Sequence, residues 1–224
     1  MPEHHKTDWY WKKHMTTFTI LLGGDLVPTR RLQSQIADTP VIAADSGIRY
    51  AKPLGLDPLL WVGDFDSTDK ATKIRYNKVP TVLFPSDKDM TDGEIAVNAA
   101  LEKGASHLIL CGAFGGERTD HALLHMTMAI SLAEKNIPSL LTSGTEEGWP
   151  LIPGDYIFDL PERSGFSIIA FSPIEGLSIS GAKWPLHNAS VNFGSSLTLS
   201  NQVCGNLSVS LHSGKGILFT RPFL

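Results

Sequence analysis

Short apolar runs, each closed by glycine, asparagine or proline, punctuate the chain and divide it into two textures. In the first, the runs alternate with stretches of helical period. Phe18 to Leu22 ends in Gly23-Gly24-Asp25, and Leu26 to Ala37, with Pro28 near its start, predicts a helix. Val41 to Ala44 delivers Asp45-Ser46-Gly47 and then a short helix ending before Pro53. Leu59 to Val62, Val79 to Phe84 (broken by Pro80), His107 to Cys111 and Ser139 to Thr142 read as further strands. Thr91 and Glu94 have capping-box spacing, so a helix starts there, with Ile95, Ala99 and Leu101 on its apolar side and Gly104 at its stop. Asp120 predicts the cap of a helix from His121 to about Glu134, stopped by Asn136 and Pro138. Strands alternating with helices imply a parallel sheet covered by helices.

From Gly154 onward the helical period is lost. Asp155 to Leu160, Gly165 to Phe171, Leu177 to Ser180, Ser196 to Leu199, Leu207 to Leu211 and Ile217 to Thr220 are short and separated by Gly, Pro and Asn. Leu207, Val209 and Leu211 alternate with Ser208, Ser210 and His212, as in a half-buried strand. The predicted architecture is an N-terminal parallel-sheet α/β domain followed by a C-terminal all-β sandwich, with Ser143 to Pro150 as the link. In residues, 1–17 is a leader, 18–148 the α/β domain and 149–224 the sandwich.

A length of 224 residues suits one large domain or two small ones. Net charge is −4 with no basic block, so nucleic acid is not an expected partner. The polar leader carries no signal-peptide core and no run is long enough to span a bilayer, so no membrane partner is expected and the expected address is the cytoplasm. Cys111 and Cys204 make neither a disulfide framework nor a metal site.

The aspartates change this ordinary picture. Gly63 ends an apolar run and is followed at once by Asp64-Phe65-Asp66. If that turn stays extended, period-two geometry points both carboxylates the same way. Like charges that close repel, and a hard cation such as Mg²⁺ relieves the repulsion. The same residues would also suit a turn in which aspartates cap a helix or bond their own backbone. Asp45, Asp64 with Asp66, Asp89 with Asp92, and Asp120 each come just after an apolar run. They therefore fall at the carboxyl ends of predicted strands, where open parallel sheets bind ligands. So much acid fits Mg²⁺ carrying phosphates. Lys88 and Arg118 supply cations in the same loops, and Gly115-Gly116 would let backbone approach a phosphate closely.

Ala44-Asp45-Ser46-Gly47, Gly63-Asp64-Phe65-Asp66-Ser67, Asp87 to Ala96 and Arg118-Thr119-Asp120-His121 occur in this order, followed by Gly181 to Leu186 and Ser200-Asn201. This set resembles the thiamin pyrophosphokinase family. The resemblance implies ATP-dependent transfer of diphosphate to the hydroxyl of thiamin, giving thiamin diphosphate and AMP, in a homodimer with active sites near the subunit interface. It matches Asp64, Asp66 and Asp92 to the Mg²⁺-binding acids, and Asp45 and Asp120 to the remaining catalytic acids. Lys88, Asp89, Thr91, Gly115, Gly116 and Arg118 match the nucleotide-binding set. Trp184, Ser200 and Asn201 match the thiamin-proximal region. The chain departs from the family pattern at Ser46, where a second glycine is usual, at Glu117, an extra residue before Arg118, and at His125, where asparagine is common.

Either Asp45 or Asp120 would accept the hydroxyl proton, and Asp120 would equally serve as a plain helix cap. Trp184 would wall the thiazolium cation or else sit in the sandwich core. Ser200 and Asn201 would hydrogen-bond the pyrimidine edge. Two other readings remain open here. Asp64-Phe65-Asp66-Ser67-Thr68 also fits the D-x-D-x-T pattern of haloacid-dehalogenase-like phosphatases with Asp64 as nucleophile, although that motif normally follows a first strand. A non-enzymatic regulator binding nucleotide or thiamin diphosphate is the other.

Overall fold

The computed structural model describes residues 16–65, 68–83 and 89–222. Asp66, Lys88 and nearly all of the expected leader lie outside the described residues. By internal packing the chain forms two units: one is the chain up to Gly23 with Ile36–Ile109, the other Gly24–Gln35 with Leu110–Leu224. The division falls within a strand, whereas the domain boundary expected from sequence lies at residue 148.

In the first unit β1 (Thr17–Leu21), β2 (Val41–Ala44), β3 (Leu60–Gly63) and β4 (Thr81–Leu83) run parallel in that spatial order. Ile20 faces Ile42, Ile42 faces Leu60 and Val62 faces Val82 across the ladders. β5 (His107–Cys111) flanks β1 on the other side. The inner strands are buried along their length because both faces are covered, which is why they read as unbroken apolar runs. β4 is exposed throughout, as its edge position allows.

Helices differ from expectation mainly where capping decides. α1 (Arg30–Ile36) starts later than Leu26 because Thr29 Oγ1 accepts the Leu32 N–H at 3.1 Å. Upstream, the Val27 N–H is already committed to Ser143 O. After β2 the chain makes a 3₁₀ turn (Asp45–Tyr50) and then α2 (Ala51–Leu54), which runs through Pro53 rather than ending before it. Proline is tolerated within a first helical turn, and Gly55 at φ +67° makes the stop. α3 (Lys70–Arg75) buries nothing and so left no apolar signature; Asp69 caps it by accepting the Thr72 N–H at 2.9 Å.

α4 (Asp92–Glu102) begins with the expected capping box between Thr91 and Glu94. It packs on β1, β2 and β3 through Gly93, Ile95, Ala96, Val97 and Ala100. Ala99 and Leu101 are only half-buried, so the inward stripe is broader than expected and rotated toward the small residues.

The second unit carries α5 (Thr119–Glu134), which packs on β6 (Ser139–Thr142) and β7 (Glu147–Leu151). The second half of the expected link is therefore a strand. β7 pairs antiparallel with β6 and with β13 (Gly216–Arg221), and Glu147 within it is buried. β8 (Gly154–Phe158), β9 (Gly165–Ala170), β10 (Ile174–Ala182), β11 (Leu186–Val191) and β12 (Asn201–Leu211) complete the unit.

β12 belongs to two sheets. Asn201 and Gln202 pair with β9, while the rest of the strand pairs with β8 and β10. Between the sheets Phe166, Ile168, Leu177, Ile179, Leu207, Val209 and Leu218 form the core, each worth about 1.5–3 kcal/mol of burial. Ser196–Leu199 is not a strand but a turn, with Leu197 and Leu199 exposed. β11, mostly solvent-facing and polar, was not legible as a strand.

Candidate active site

In the first unit the carboxyl ends of β2 and β3 lie side by side. Trp61 Nε1 donates to Asp45 O at 2.8 Å, and a Cβ on Gly63 would come within 3.3 Å of Asp45 Cα. That close approach, with φ +154°, is what requires glycine at 63. Asp45 itself turns out of the sheet at φ +41°. Its neighbour Ser46 is not among the positive-φ residues, so the turn does not need a second glycine there. Gly47 is needed: a Cβ would sit 2.2 Å from Leu21 O.

The chain is not extended at the middle residue of the D-x-D stretch. Phe65 has φ +57° and is buried, its ring edge-on to Trp61 at a centroid separation of 4.5 Å. The period-two argument for parallel carboxylates therefore fails at Phe65. A left-handed bulky residue costs on the order of 1–3 kcal/mol, a strain typical of functional turns and here offset by burial of the ring. Asp64 is half-buried at the exit of β3, and Asp92 is half-buried in the first turn of α4, where the helix dipole favours negative charge. Asp89 is exposed. Thr91 spends its hydroxyl and N–H on Glu94 Oε2, at 2.9 and 2.8 Å. Among the described residues no three His, Cys, Asp or Glu side chains gather to hold a metal. Asp64 and Asp92 each offer a carboxylate, the donor type that suits a hard cation such as Mg²⁺.

In the second unit the loop between β5 and α5 is tied to Asp25. The Asp25 N–H donates to Phe114 O at 2.8 Å, and Asp25 Oδ2 accepts the Gly116 N–H at 2.9 Å. A Cβ on Gly115 would lie 2.3 Å from that same carboxylate oxygen, and Gly115 and Gly116 both have positive φ. The glycine pair is thus accounted for by the neighbouring chain. Asp25 had read only as part of a glycine turn, and the sequence carried no signal for this contact.

Arg118 precedes α5 and grips Asp120 with a two-bond fork, Nε to Oδ1 at 2.9 Å and Nη2 to Oδ2 at 2.7 Å. Asp120 lies inside the first turn and is not the cap of that helix. The hydrogen bonds from Arg118 hold its carboxyl well below the usual carboxylate range. A carboxylate so stabilised is a weak proton acceptor.

The three residues matched to thiamin lie together. Trp184, Ser200 and Asn201 line a cleft of about 400 Å³, joined by Glu146, Lys183 and Arg221. Trp184 is 55% exposed, which places it outside the core, and Lys183 Nζ covers one face of its ring at 4.6 Å from the centroid. Asn201 is buried and makes three hydrogen bonds. Its Oδ1 accepts from Trp184 N and Gln202 N, and its Nδ2 donates to Trp184 O at 2.7 Å. Asn201 therefore holds the tryptophan backbone at the cleft. Ser200 turns at φ +59°, its N–H bonded to Ser167 Oγ.

Known proteins share both halves of this arrangement. Residues 34–141 match the family model "Thiamin pyrophosphokinase, catalytic domain", and residues 155–218 match "Thiamin pyrophosphokinase, vitamin B1 binding domain". The thiamine pyrophosphokinase of Bacillus subtilis (strain 168) is 30% identical over 210 residues, covering 91% of this chain and 97% of that protein. The chain belongs to the thiamin pyrophosphokinase family. The crystal structure of thiamine pyrophosphokinase from B. subtilis superposes with a TM-score of 0.83 at 28% identity, covering 93% of this chain and 100% of the other. That of thiamin pyrophosphokinase from Geobacillus thermodenitrificans gives 0.78 at 26% identity, covering 92% and 97%. The α/β and sandwich fold expected from sequence is the fold of this family, and the phosphatase and regulator readings are not favoured.

His125 is buried in α5 with Nδ1 donating to Ala113 O at 3.2 Å. Burial pushes its imidazole below the ordinary value of 6.5, and burial does the same to His107. Below that value the unfolded chain binds protons that the folded chain refuses, so stability is full above it and falls as pH drops. The thermal midpoint should fall between about pH 8 and about pH 5, and His125→Asn, which keeps a donor for Ala113 O, should make the fall shallower.

Proposed function

We propose that the chain catalyses ATP-dependent diphosphate transfer to the primary hydroxyl of thiamin, with the residues above in specific roles. The observation that carries the residue assignment is the cleft in which Trp184, Ser200 and Asn201 come together. We assign Asp64, Asp66 and Asp92 to Mg²⁺, which when bound would neutralise phosphate charge. Asp89, Lys88 and Arg118 contribute to nucleotide binding, with Thr91, Gly115 and Gly116 shaping its loops. Asp45 accepts the hydroxyl proton, because Asp120 is already pinned by Arg118. The thiamin oxygen then bonds to the β-phosphorus, the bond from that phosphorus to the bridging oxygen of the α-phosphate breaks, and AMP leaves. Positioning carries most of the rate. The functional division follows residue 148, and the assembly is a cytoplasmic homodimer with active sites near the subunit interface.

Incubation with ATP, Mg²⁺ and thiamin should yield AMP and thiamin diphosphate. Inorganic phosphate as the only product would point to the phosphatase reading, and absence of turnover to the regulator. Trp184→Ala should raise KM for thiamin about tenfold, as loss of a cation–π wall predicts, and leave KM for ATP unchanged. Steady-state kinetics in each substrate checks this.

A further inference from the structure

We propose that Asp25 is a positioning residue that sets the loop carrying Arg118, an inference resting on the nucleotide-binding role given to that arginine above. The chain leaves β1 and at Gly24 joins the packing of the second unit. There it forms an isolated antiparallel bridge, Asp25 opposite Phe114, flanked by the Gly24 N–H donating to Gly112 O at 3.0 Å. Backbone bonds thus fix the base of the Asp25 side chain. Its carboxylate then reaches one step further and takes the Gly116 N–H at 2.9 Å.

Two consecutive residues of that loop are left-handed, Gly115 at φ +64° and Gly116 at φ +78°. Such a pair has no regular partner for its amides, and glycine is the residue with the most freedom to leave the conformation. One charge-assisted bond from a bridged strand replaces the missing partner. The fit is tight enough that any side chain at 115 would collide with Asp25 Oδ2, and a Cβ at 116 would come 3.3 Å from Gly24 Cα. Glu117 and Arg118 follow immediately, and the Arg118 fork closes on Asp120 in the first turn of α5. Asp25 at one end and Asp120 at the other therefore fix a segment of which glycine is half. Asp25 touches no substrate in this account; it acts through the backbone of Gly116.

The test compares Asp25→Ala with Asp25→Asn in the full chain. Asp25→Ala should raise KM for ATP about tenfold, on the scale of one lost charge-assisted bond, while KM for thiamin stays within about twofold. Amide exchange of the Gly115–Glu117 segment should quicken. Asp25→Asn retains an acceptor oxygen and should restore both readouts most of the way. A purely structural residue would instead lower the thermal midpoint and shift both KM values together, which overturns the proposal. So would an Asp25→Asn variant as impaired as Asp25→Ala. A lower KM for ATP in Asp25→Ala also overturns it, since the carboxylate would then be competing with phosphate for the Gly116 amide. If the unaltered protein makes no thiamin diphosphate, the proposed function fails, while the exchange comparison still decides whether Asp25 holds the loop.

Discussion

Asp64→Asn should lower kcat by about a thousandfold with the thermal midpoint unchanged within experimental error. The side chain stands half-buried at the exit of β3, just before the left-handed Phe65, and makes no part of the apolar core. Folding has little apolar burial to lose there. Charge stabilisation by a metal-holding carboxylate is worth several kcal/mol in the transition state, and each 1.36 kcal/mol is about tenfold in rate. Asn keeps the shape and removes the charge, so the loss should fall on kcat and on the dependence on Mg²⁺ concentration. Near-normal turnover in this variant, measured as AMP released at saturating ATP and Mg²⁺, would remove Asp64 from the metal site.

The largest loss of stability should come from Arg31→Met. Glu147 in β7 has a side chain only 2% exposed, and Arg31 grips it with Nε at 2.6 Å and Nη2 at 2.9 Å. Gln35 adds a third bond at 2.8 Å. Removing the guanidinium strands a buried carboxylate, which costs about 3–5 kcal/mol. At roughly 2–4 °C per kcal/mol for a chain of this size, the midpoint should fall by about 10 °C or more. The double variant Arg31→Met/Glu147→Leu should recover most of the loss, because two apolar residues need no mutual charge. Urea unfolding of the three proteins distinguishes a stranded charge from simple loss of packing. The exposed Arg118–Asp120 pair is different: its side chains are 64% and 66% exposed, and its removal should barely move the midpoint.

What could be read from the chain depended on whether the physics was local. The inner strands announced themselves because both faces are buried, and the Thr91–Glu94 box fixed the start of α4 within its own four residues. Glu147 was taken for linker because its partner, Arg31, lies far away in sequence, and no local pattern marks a strand that begins with a buried acid. β11 and α3 were missed for the opposite reason: they bury little and so leave no apolar period. The aspartates follow the carboxyl ends of β2 to β5 as their spacing predicted, but the backbone at Phe65 did not follow from the D-x-D spacing. Phe65 itself turns left-handed with its ring packed on Trp61, a contact that the D-x-D spacing does not encode. Similarly, no local pattern marked the bonds that Asn201 makes to the Trp184 backbone.

The passage of β12 from one sheet to the other has a mechanical consequence. A sandwich whose layers were joined only by loops could part along its seam, one leaf swinging away from the other. Here a single strand is stitched through both leaves, anchored at Leu207 and Val209 in the interior, and its first two residues form a wall of the cleft. The floor beneath Trp184 therefore cannot loosen by itself, and it gives way only with the cooperative melting of the whole sandwich.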